Sequence, residues 1–463
     1  MVTEVKQTNP FLKKLSDFAQ AAASQRYFRA MRDGFVSSVP FLVLAGLLIL
    51  VNNVIISPDG GWIAGFVNHD TLSTWQELGN KIINGSLNCY SLLIAIMIAY
   101  SLGSSRKAEN PIFCSAVAVG VIFTLMPLVN EVVPNGAEKA VEVGGVLPFS
   151  LLGTSGIFVA IFASMLSTEL FVWLGKNEKL KIKLTGSVPP AVAQSFNALT
   201  AIIITLVVAG FVSFGIHQLT NLEVHALINK VIQAPMVGLT TSLPGFIILC
   251  FFTNLLFALG IHPSGIVNPI LEPPLLTAMA ENSDAFKNHL DIPHIIVLPF
   301  RDLYGHIGGT GSTIALVIAI FIVSRKQFNR DFAKMSGPLS IFNINEPIIY
   351  GFPVVFNPLI MIPFIFGPLI CFVIAYFATA ADLVSRIAVY VPWSMPPLIN
   401  GFVASGGDFR NVILQLVLIA LMVVIYMPFL KAYELSMDTA TETADVNGTE
   451  LADDDFSDFA DFQ

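Results

Sequence analysis

Long apolar runs alternate with short polar segments along most of the chain. Each run contains few charges and approaches the length needed to cross a bilayer, about 20 residues at 1.5 Å per residue of helix. Because lipid offers no hydrogen bonds to the backbone, such runs are expected to be helical. They lie at about 35–56, 82–104, 111–129, 146–174, 198–216, 243–261, 311–323, 351–381 and 411–430. The pattern predicts an all-α polytopic membrane protein.

Composition supports this interpretation. The chain has 463 residues, of which 54% are hydrophobic and 12% charged, whereas soluble domains carry about 25% charged residues. We expect no cleaved signal peptide, because the stretch before Phe35 is charged and helical in pattern. The four cysteines lie in or beside apolar runs without metal-ligand spacing, which favours small packing residues.

Basic residues predict the orientation. Lys and Arg cluster before the first run and after the second and fourth runs, and such clusters mark the cytoplasmic side. The cluster that begins at Arg325 obeys this rule only if one more crossing lies between Ile261 and Thr310. We therefore expect about ten spans, with both termini in the cytoplasm.

Two segments have amphipathic helical spacing, one around 11–22 and one around 224–231. Helices lying in the membrane interface would show this pattern, as would plain linker helices. After Lys431 the chain carries many Asp and Glu residues and no Lys or Arg, and we expect this tail to be disordered. Its Asp-Phe steps suit either a docking motif or a solvated tail. The predicted segments are a cytoplasmic amphipathic segment 1–33, membrane halves 34–242 and 243–432, and the tail 433–463.

Three broken stretches interrupt the carboxyl-terminal half, where Pro, Gly and polar residues cluster within apolar sequence. They run from Gly260 to Pro274, from Arg301 to Gly311, and from Ser336 to Pro358. Non-helical backbone at membrane depth persists only where protein buries it or a water-filled cavity solvates it. We expect two re-entrant hairpins around a solute site, although aqueous loops would give a similar pattern.

His262 and Glu346 are the strongest candidates for chemistry in these stretches. An ionisable group among apolar residues costs several kcal/mol at the bilayer centre, about 3 kcal/mol on insertion scales, so it usually serves a function. A packed histidine is the alternative for His262. Trp393 is a candidate platform for a sugar ring or an interfacial anchor. Amides that could hydrogen-bond a sugar are Asn254, Asn268, Asn343, Asn345, Asn357 and Asn400.

Several motifs are absent from the sequence. It contains no phosphate-binding Gly-x-x-x-x-Gly-Lys-Ser/Thr loop, no His-Glu-x-x-His or paired-cysteine metal site, and no Gly-x-Ser-x-Gly turn. We therefore expect no intrinsic ATPase activity, no metal and no other cofactor, and nothing in the chain suggests a nucleic-acid partner.

Particular motifs resemble the membrane (IIC) components of the bacterial phosphoenolpyruvate-dependent sugar phosphotransferase system, in the lactose/cellobiose/diacetylchitobiose family. They are Met31-Arg32-Asp33-Gly34, Leu152-Gly153-Thr154-Ser155-Gly156-Ile157-Phe158, Ser187-Val188-Pro189-Pro190-Ala191-Val192-Ala193 and, most specific, the run from Phe342-Asn343-Ile344-Asn345-Glu346-Pro347 to Pro353. The similarity extends over almost all of 10–432. Pro263 and Ser264 depart from it, because glycine often follows the histidine in this family.

The resemblance implies a homodimer in the bacterial plasma membrane, with the interface in the amino half and the sugar in the carboxyl half. It implies that His262 and Glu346 lie near the hydroxyl that is phosphorylated, and that Trp393 contacts the sugar. The phosphoryl donor in this system is a phosphocysteine on a IIB protein, supplied through enzyme I, HPr and IIA. Residues after Lys431 are few and lack cysteine, so we expect IIB to be a separate chain.

The function implied is a permease that moves a β-linked disaccharide, of the cellobiose or diacetylchitobiose type, and couples its entry to phosphorylation. In that mechanism Glu346, assisted by His262, orients or deprotonates the primary hydroxyl. One rival is a proton-coupled sugar symporter, in which Glu346 is the proton site. Another is a membrane-embedded transferase that uses His262 or His306 as a base on a lipid-linked substrate.

Overall fold

The computed structural model describes residues 25–58, 61–132, 141–182, 189–352 and 354–446. Regular structure in these ranges is helical except for one antiparallel hairpin. The amino-terminal elements are α1 (Arg26–Leu50) with a π-helical turn (Val51–Ile55), α2 (His69–Asn84), α3 (Tyr90–Ser105), α4 (Pro111–Thr124), β1 (Val129–Val132), β2 (Val141–Gly144), α5 (Phe149–Leu152), a 3-10 turn (Thr154–Gly156), α6 (Ile157–Gly175) and α7 (Pro190–Thr220).

The carboxyl-terminal elements are shorter and more often interrupted. They are α8 (Val224–Ile228), a π-helical turn (Asn229–Gln233), α9 (Ala234–Thr241), α10 (Leu243–Ala258), a 3-10 turn (Pro263–Gly265), α11 (Asn268–Lys287), α12 (Leu298–Tyr304), α13 (Thr313–Val323), α14 (Gln327–Ser340), α15 (Glu346–Gly351), α16 (Pro358–Ala380), α17 (Ile399–Ala404) and α18 (Phe409–Val446).

Five helices within the described ranges are long and apolar enough to cross a membrane, or six if one bent pair counts as a single span. The bent pair is Val224–Thr241 and Leu243–Ala258, which meet at 80°. Helices α3, α4 and α13 are apolar but shorter. These helices confirm a helical membrane protein.

Several membrane helices begin where the sequence combines a capping side chain with proline. The side-chain oxygens of Asn110 and Asn357 accept the backbone N–H groups of Ile112 and Leu359, at 3.0 and 3.1 Å. Proline follows each cap, at the position where a missing N–H costs no intrahelical bond. These local signals fix the starts of α4 and α16.

Helices α13 and α14 form an antiparallel pair that brings the chain back towards its own interior. The side chain of Asn329, early in α14, donates to Ser324 Oγ just after α13, at 3.4 Å. Gly337, further along α14, lies against Val317 in the middle of α13. A Cβ atom added to Gly337 would be 3.0 Å from Val317 Cγ1. The segment after α14, which carries Asn343 and Glu346, is thereby returned to the start of α13.

Some secondary structure lies outside the predicted apolar runs. The segment 57–81, between the first and second predicted apolar runs, contains most of α2, and the segment 130–145, between the third and fourth runs, contains most of the β hairpin. Helix α1 begins at Arg26, inside the predicted segment 1–33, and the amphipathic pattern at 11–22 lies outside the described residues.

The acidic tail is helical further than predicted. Helix α18 continues to Val446, through residues 433–446 that were expected to be disordered. An existing helix extends at the cost of one residue at a time, without new nucleation. Asn329 Nδ2 also donates to the carboxylate of Glu434 at 2.7 Å, which fixes the start of the extension. Residues 447–463 of the tail lie outside the described ranges.

Candidate functional site

A cavity of about 340 Å³ lies between α1 and the broken stretches of the carboxyl half. This volume falls within the usual range of small-molecule sites, about 300–1,000 Å³. One wall is apolar and comes from α1, through Phe35, Val36, Val39 and Leu42. The opposite side carries the polar groups His262, Asn268, Glu272, Arg301, Asp302, His306, Asn343, Asn345 and Glu346, with Trp393.

His262 and Glu346 face each other in this cavity. His262 Nε2 and Glu346 Oε1 are 3.7 Å apart, and the two side chains are 49% and 47% exposed. The ring of Phe257 packs edge-on against the imidazole, with centroids 4.8 Å apart, and orients it. A carboxylate paired with an imidazole and open to a cavity has the geometry of a proton acceptor for a bound hydroxyl group.

Asn343 lines the cavity and also connects the broken stretches through its side-chain amide. Its backbone is left-handed, with φ 58°, a conformation that Asn tolerates better than most residues. Its Oδ1 accepts the N–H of Gly308 at 2.7 Å, and its Nδ2 donates to the carbonyl of Trp393. Both polar atoms of the amide are therefore used in holding the site together.

Asn345, next to Glu346 in the chain, makes a similar hydrogen bond to the second broken stretch. Its Nδ2 donates to the carbonyl of Thr310 at 2.8 Å. Gly309 approaches the same side chain so closely that a Cβ atom would lie 2.5 Å from Asn345 Cγ, and its φ of +101° favours glycine. The glycine-rich second stretch thus serves as the support on which the Glu346 segment rests.

Asn268 and Trp393 line the cavity as predicted candidates, whereas two other amides do not. Trp393 is 48% exposed at its rim, and Asn268 Oδ1 accepts from Arg301 Nη1 at 3.4 Å. Asn254 is fully buried and pairs with His306 Nε2 at 2.9 Å. Asn400 is buried and accepts from Gln415 Nε2 at 2.8 Å.

The amides of Asn254 and Asn400 also donate to backbone carbonyls, those of Ile365 at 3.1 Å and Met395 at 3.4 Å. Neither lines the cavity. Both amides are hydrogen-bonded within the protein, as buried amides must be, and their sugar contact stays a prediction that the cavity lining does not support. Asn357, the other amide considered, caps α16 through its side-chain oxygen.

Sequence reasoning did not single out three charged residues that line the cavity, Glu272, Arg301 and Asp302. Arg301 Nε donates to Asp302 Oδ1 at 3.2 Å. Their position within apolar sequence was the available signal, since charges at membrane depth usually face a cavity. They add charged groups to the cavity lining, in addition to the His262–Glu346 pair.

The fold and the cavity together define a class of protein, a helical membrane protein with an internal polar chamber suited to a small hydroxylated solute. The family model described as "Phosphotransferase system, EIIC" matches residues 32–368. The lichenan permease IIC component of Bacillus subtilis is 32% identical over 91% of this chain and 92% of its own length. The cellobiose-specific EIIC component of Geobacillus stearothermophilus is 31% identical, over 94% and 96%.

A solved structure agrees with these relatives. The IIC component ChbC of the N,N'-diacetylchitobiose-specific phosphotransferase system superposes with a TM-score of 0.86 and is 33% identical, over 93% of this chain and 99% of that one. The chain therefore belongs to the phosphotransferase-system EIIC family and is a sugar permease component of that system. This confirms the resemblance drawn from the sequence motifs. The comparisons support the phosphotransferase-system permease over the two rival functions, a symporter and a lipid-linked transferase.

Proposed function

We propose that the chain carries a β-linked disaccharide of the cellobiose or diacetylchitobiose type across the bacterial plasma membrane, coupled to its phosphorylation by a separate IIB subunit. Support for the sugar class comes from the relatives, whose names specify cellobiose, lichenan and N,N'-diacetylchitobiose. Support for the partner comes from the lactose-specific EIICB component of Staphylococcus haemolyticus, of which this chain covers 70%. Its name joins C and B in one protein.

The observation that carries the proposal is the His262–Glu346 pair, 3.7 Å apart in a cavity that Trp393 also lines. A primary hydroxyl placed between the two side chains gives its proton to the Glu346 carboxylate. The hydroxyl oxygen attacks phosphorus of the IIB phosphocysteine, the new P–O bond forms, the S–P bond breaks, and the thiolate leaves. His262 assists by fixing the carboxylate and the hydroxyl.

The other cavity residues are proposed to hold the sugar. Trp393 stacks on a pyranose face, and Asn268 and Asn345 hydrogen-bond hydroxyl groups. Asn343 positions this arrangement, because its amide atoms are already bonded to Gly308 and Trp393.

We further propose the architecture that the family implies: about ten spans, two re-entrant hairpins and a homodimer formed through the half 34–242, with the sugar in the half 243–432 and both termini cytoplasmic. The returning path of α14 along α13 is consistent with one hairpin. The 80° bend before α10 suits an interfacial helix at 224–241. IIA, HPr and enzyme I supply phosphate to IIB.

The purified full-length chain in proteoliposomes tests the proposal. Phosphorylated IIB is added on the outside to inside-out vesicles, and phosphorylation is followed for labelled cellobiose, diacetylchitobiose, lactose and a glucoside. We expect one β-linked disaccharide to be phosphorylated, and its analogue lacking the primary hydroxyl to bind without reacting. Uptake that needs no IIB and collapses with the proton gradient would instead establish a symporter.

A further inference from the structure

Arg32, from the Met31-Arg32-Asp33-Gly34 motif, is not used by the mechanism above. In a helix, residues three and four apart share a face. Arg32 therefore lies on the face of α1 that carries Phe35, Val36 and Val39, which form the apolar wall of the cavity. It lies one turn nearer the amino end of α1, beyond the cavity-lining residues.

The guanidinium group is held in place by its neighbours. Arg32 Nε and Nη2 donate to Asp33 Oδ1 at 3.2 and 2.8 Å. Asp33 Oδ2 in turn accepts from Ser101 Oγ of α3 at 2.9 Å. The other N–H groups of the guanidinium have no hydrogen-bond partner in the part of the chain that the structure describes, and the side chain is 36% exposed. Arg32 thus has a fixed position and donors to spare.

Close packing of α1 against α3 fixes the position of the helix segment that carries Arg32. Gly34 lies against α3, where a Cβ atom would be 2.5 Å from Ile98 Cγ1. Only a residue without a side chain allows α1 and α3 to approach this closely. The motif thus contains the residue that sets the helix contact, next to the arginine and the aspartate that orients it.

Arg32 also lies near the reacting pair. Helix α1 contacts the 3-10 turn Pro263–Gly265 that follows His262. On the same face of α1, Arg32 lies one turn from Phe35 and Val36, which line the cavity together with His262. Arg301, which does line the cavity, is engaged by Asp302 and Asn268.

We propose that Arg32 is a catalytic residue that binds the phosphoryl group as it passes from the IIB thiol to the sugar hydroxyl, an inference that rests on the proposed function. The incoming phosphoryl group is anionic and must approach the Glu346 carboxylate. A fixed guanidinium offsets that repulsion and pairs two donors with two non-bridging oxygens. The P–O bond forms and the S–P bond breaks as described above, and Arg32 gains or loses no proton.

The test compares Arg32→Ala with Arg29→Ala in the full-length protein in proteoliposomes. Arg29 provides the matched control, since it is an exposed arginine of the same helix and its loss changes the net charge equally. Phosphorylated IIB and cellobiose, or whichever disaccharide the wild type phosphorylates, are the substrates. We expect Arg32→Ala to lower kcat about 10²–10³-fold, with sugar Kd within about twofold, and Arg29→Ala to leave kcat within about twofold of wild type.

Two further measurements separate a catalytic arginine from a structural one. Added guanidinium ion should restore part of the activity of Arg32→Ala and none in Arg29→Ala, and Arg32→Lys should keep more activity than Arg32→Ala. Equal kcat for the two alanine variants would overturn the proposal. So would a loss of sugar binding parallel to the loss of rate, or an Arg32→Ala defect that guanidinium leaves untouched while Arg32→Lys is no better. If wild type itself fails to phosphorylate any sugar with phosphorylated IIB, the proposed function fails instead.

Discussion

Replacing Glu346 with glutamine removes the negative charge at the site and keeps the size of the side chain. Glu346 is half exposed to the cavity, so the fold does not depend on its burial and the unfolding temperature should not change. A neutral amide still hydrogen-bonds a sugar hydroxyl but cannot accept its proton. The variant therefore separates binding from chemistry.

The expected magnitudes differ enough to decide the role. A hydrogen bond to a charged group contributes about 1.5–3 kcal/mol and a neutral one about 0.5–1.5 kcal/mol. Their difference, about 1 kcal/mol, corresponds to a loss of affinity of roughly fivefold. Loss of a general base lowers a rate by about 10²–10⁴-fold. Glu346→Gln should therefore reduce kcat far more than it weakens sugar binding.

The assay measures phosphorylation of labelled disaccharide by phosphorylated IIB in proteoliposomes, alongside sugar Kd by calorimetry. Glu281→Gln is the matched control, because Glu281 also pairs with a histidine, His294, and does not line the cavity. It should retain wild-type kcat. A Glu346→Gln variant that phosphorylates sugar within about threefold of wild type would refute the assignment of Glu346 as the base.

Two further predictions concern sugar stacking and backbone conformation. Trp393→Ala should weaken sugar binding by about 0.5–1.5 kcal/mol, measured as Kd, while Trp62→Ala, which changes an exposed tryptophan away from the cavity, should not; equal Kd values for both variants would remove Trp393 from the site. Gly309→Ala should lower stability by about 1–3 kcal/mol, seen as a lower unfolding temperature in detergent, because its φ is +101° and the new Cβ would meet Asn345. Gly238→Ala meets no atom within 4 Å and should be neutral or stabilising; matching losses in both glycine variants would contradict the conformational argument.

Much of the fold could be predicted from the sequence, because the length of each apolar run along the chain indicates a membrane-spanning helix. An apolar run long enough to span a bilayer has one stable solution, a helix, and α7, α16 and α18 overlap the predicted windows. Helix α2 was missed because it is polar and carries no such signal. The helical residues 433–446 were missed because their order depends on continuation from α18 and on the bond to Glu434.

The site residues that could be predicted are those whose residue type is unusual for their sequence surroundings. His262 and Glu346 are ionisable groups within apolar, proline-rich sequence, and the structure brings them together. Asn254 and Asn400 have the same residue type as Asn268, and only the packed structure reveals that their amides are satisfied by buried partners. A three-dimensional hydrogen-bond network leaves no mark in a single sequence.

The most direct test of the central claim is a cryo-EM structure of the protein with its disaccharide bound, beginning with cellobiose and N,N'-diacetylchitobiose. We predict density for the sugar in the cavity, with one primary hydroxyl within hydrogen-bonding distance, about 3 Å, of the Glu346 carboxylate, and a ring over Trp393. A sugar bound outside this cavity, or one whose primary hydroxyls both point away from His262 and Glu346, would contradict the account.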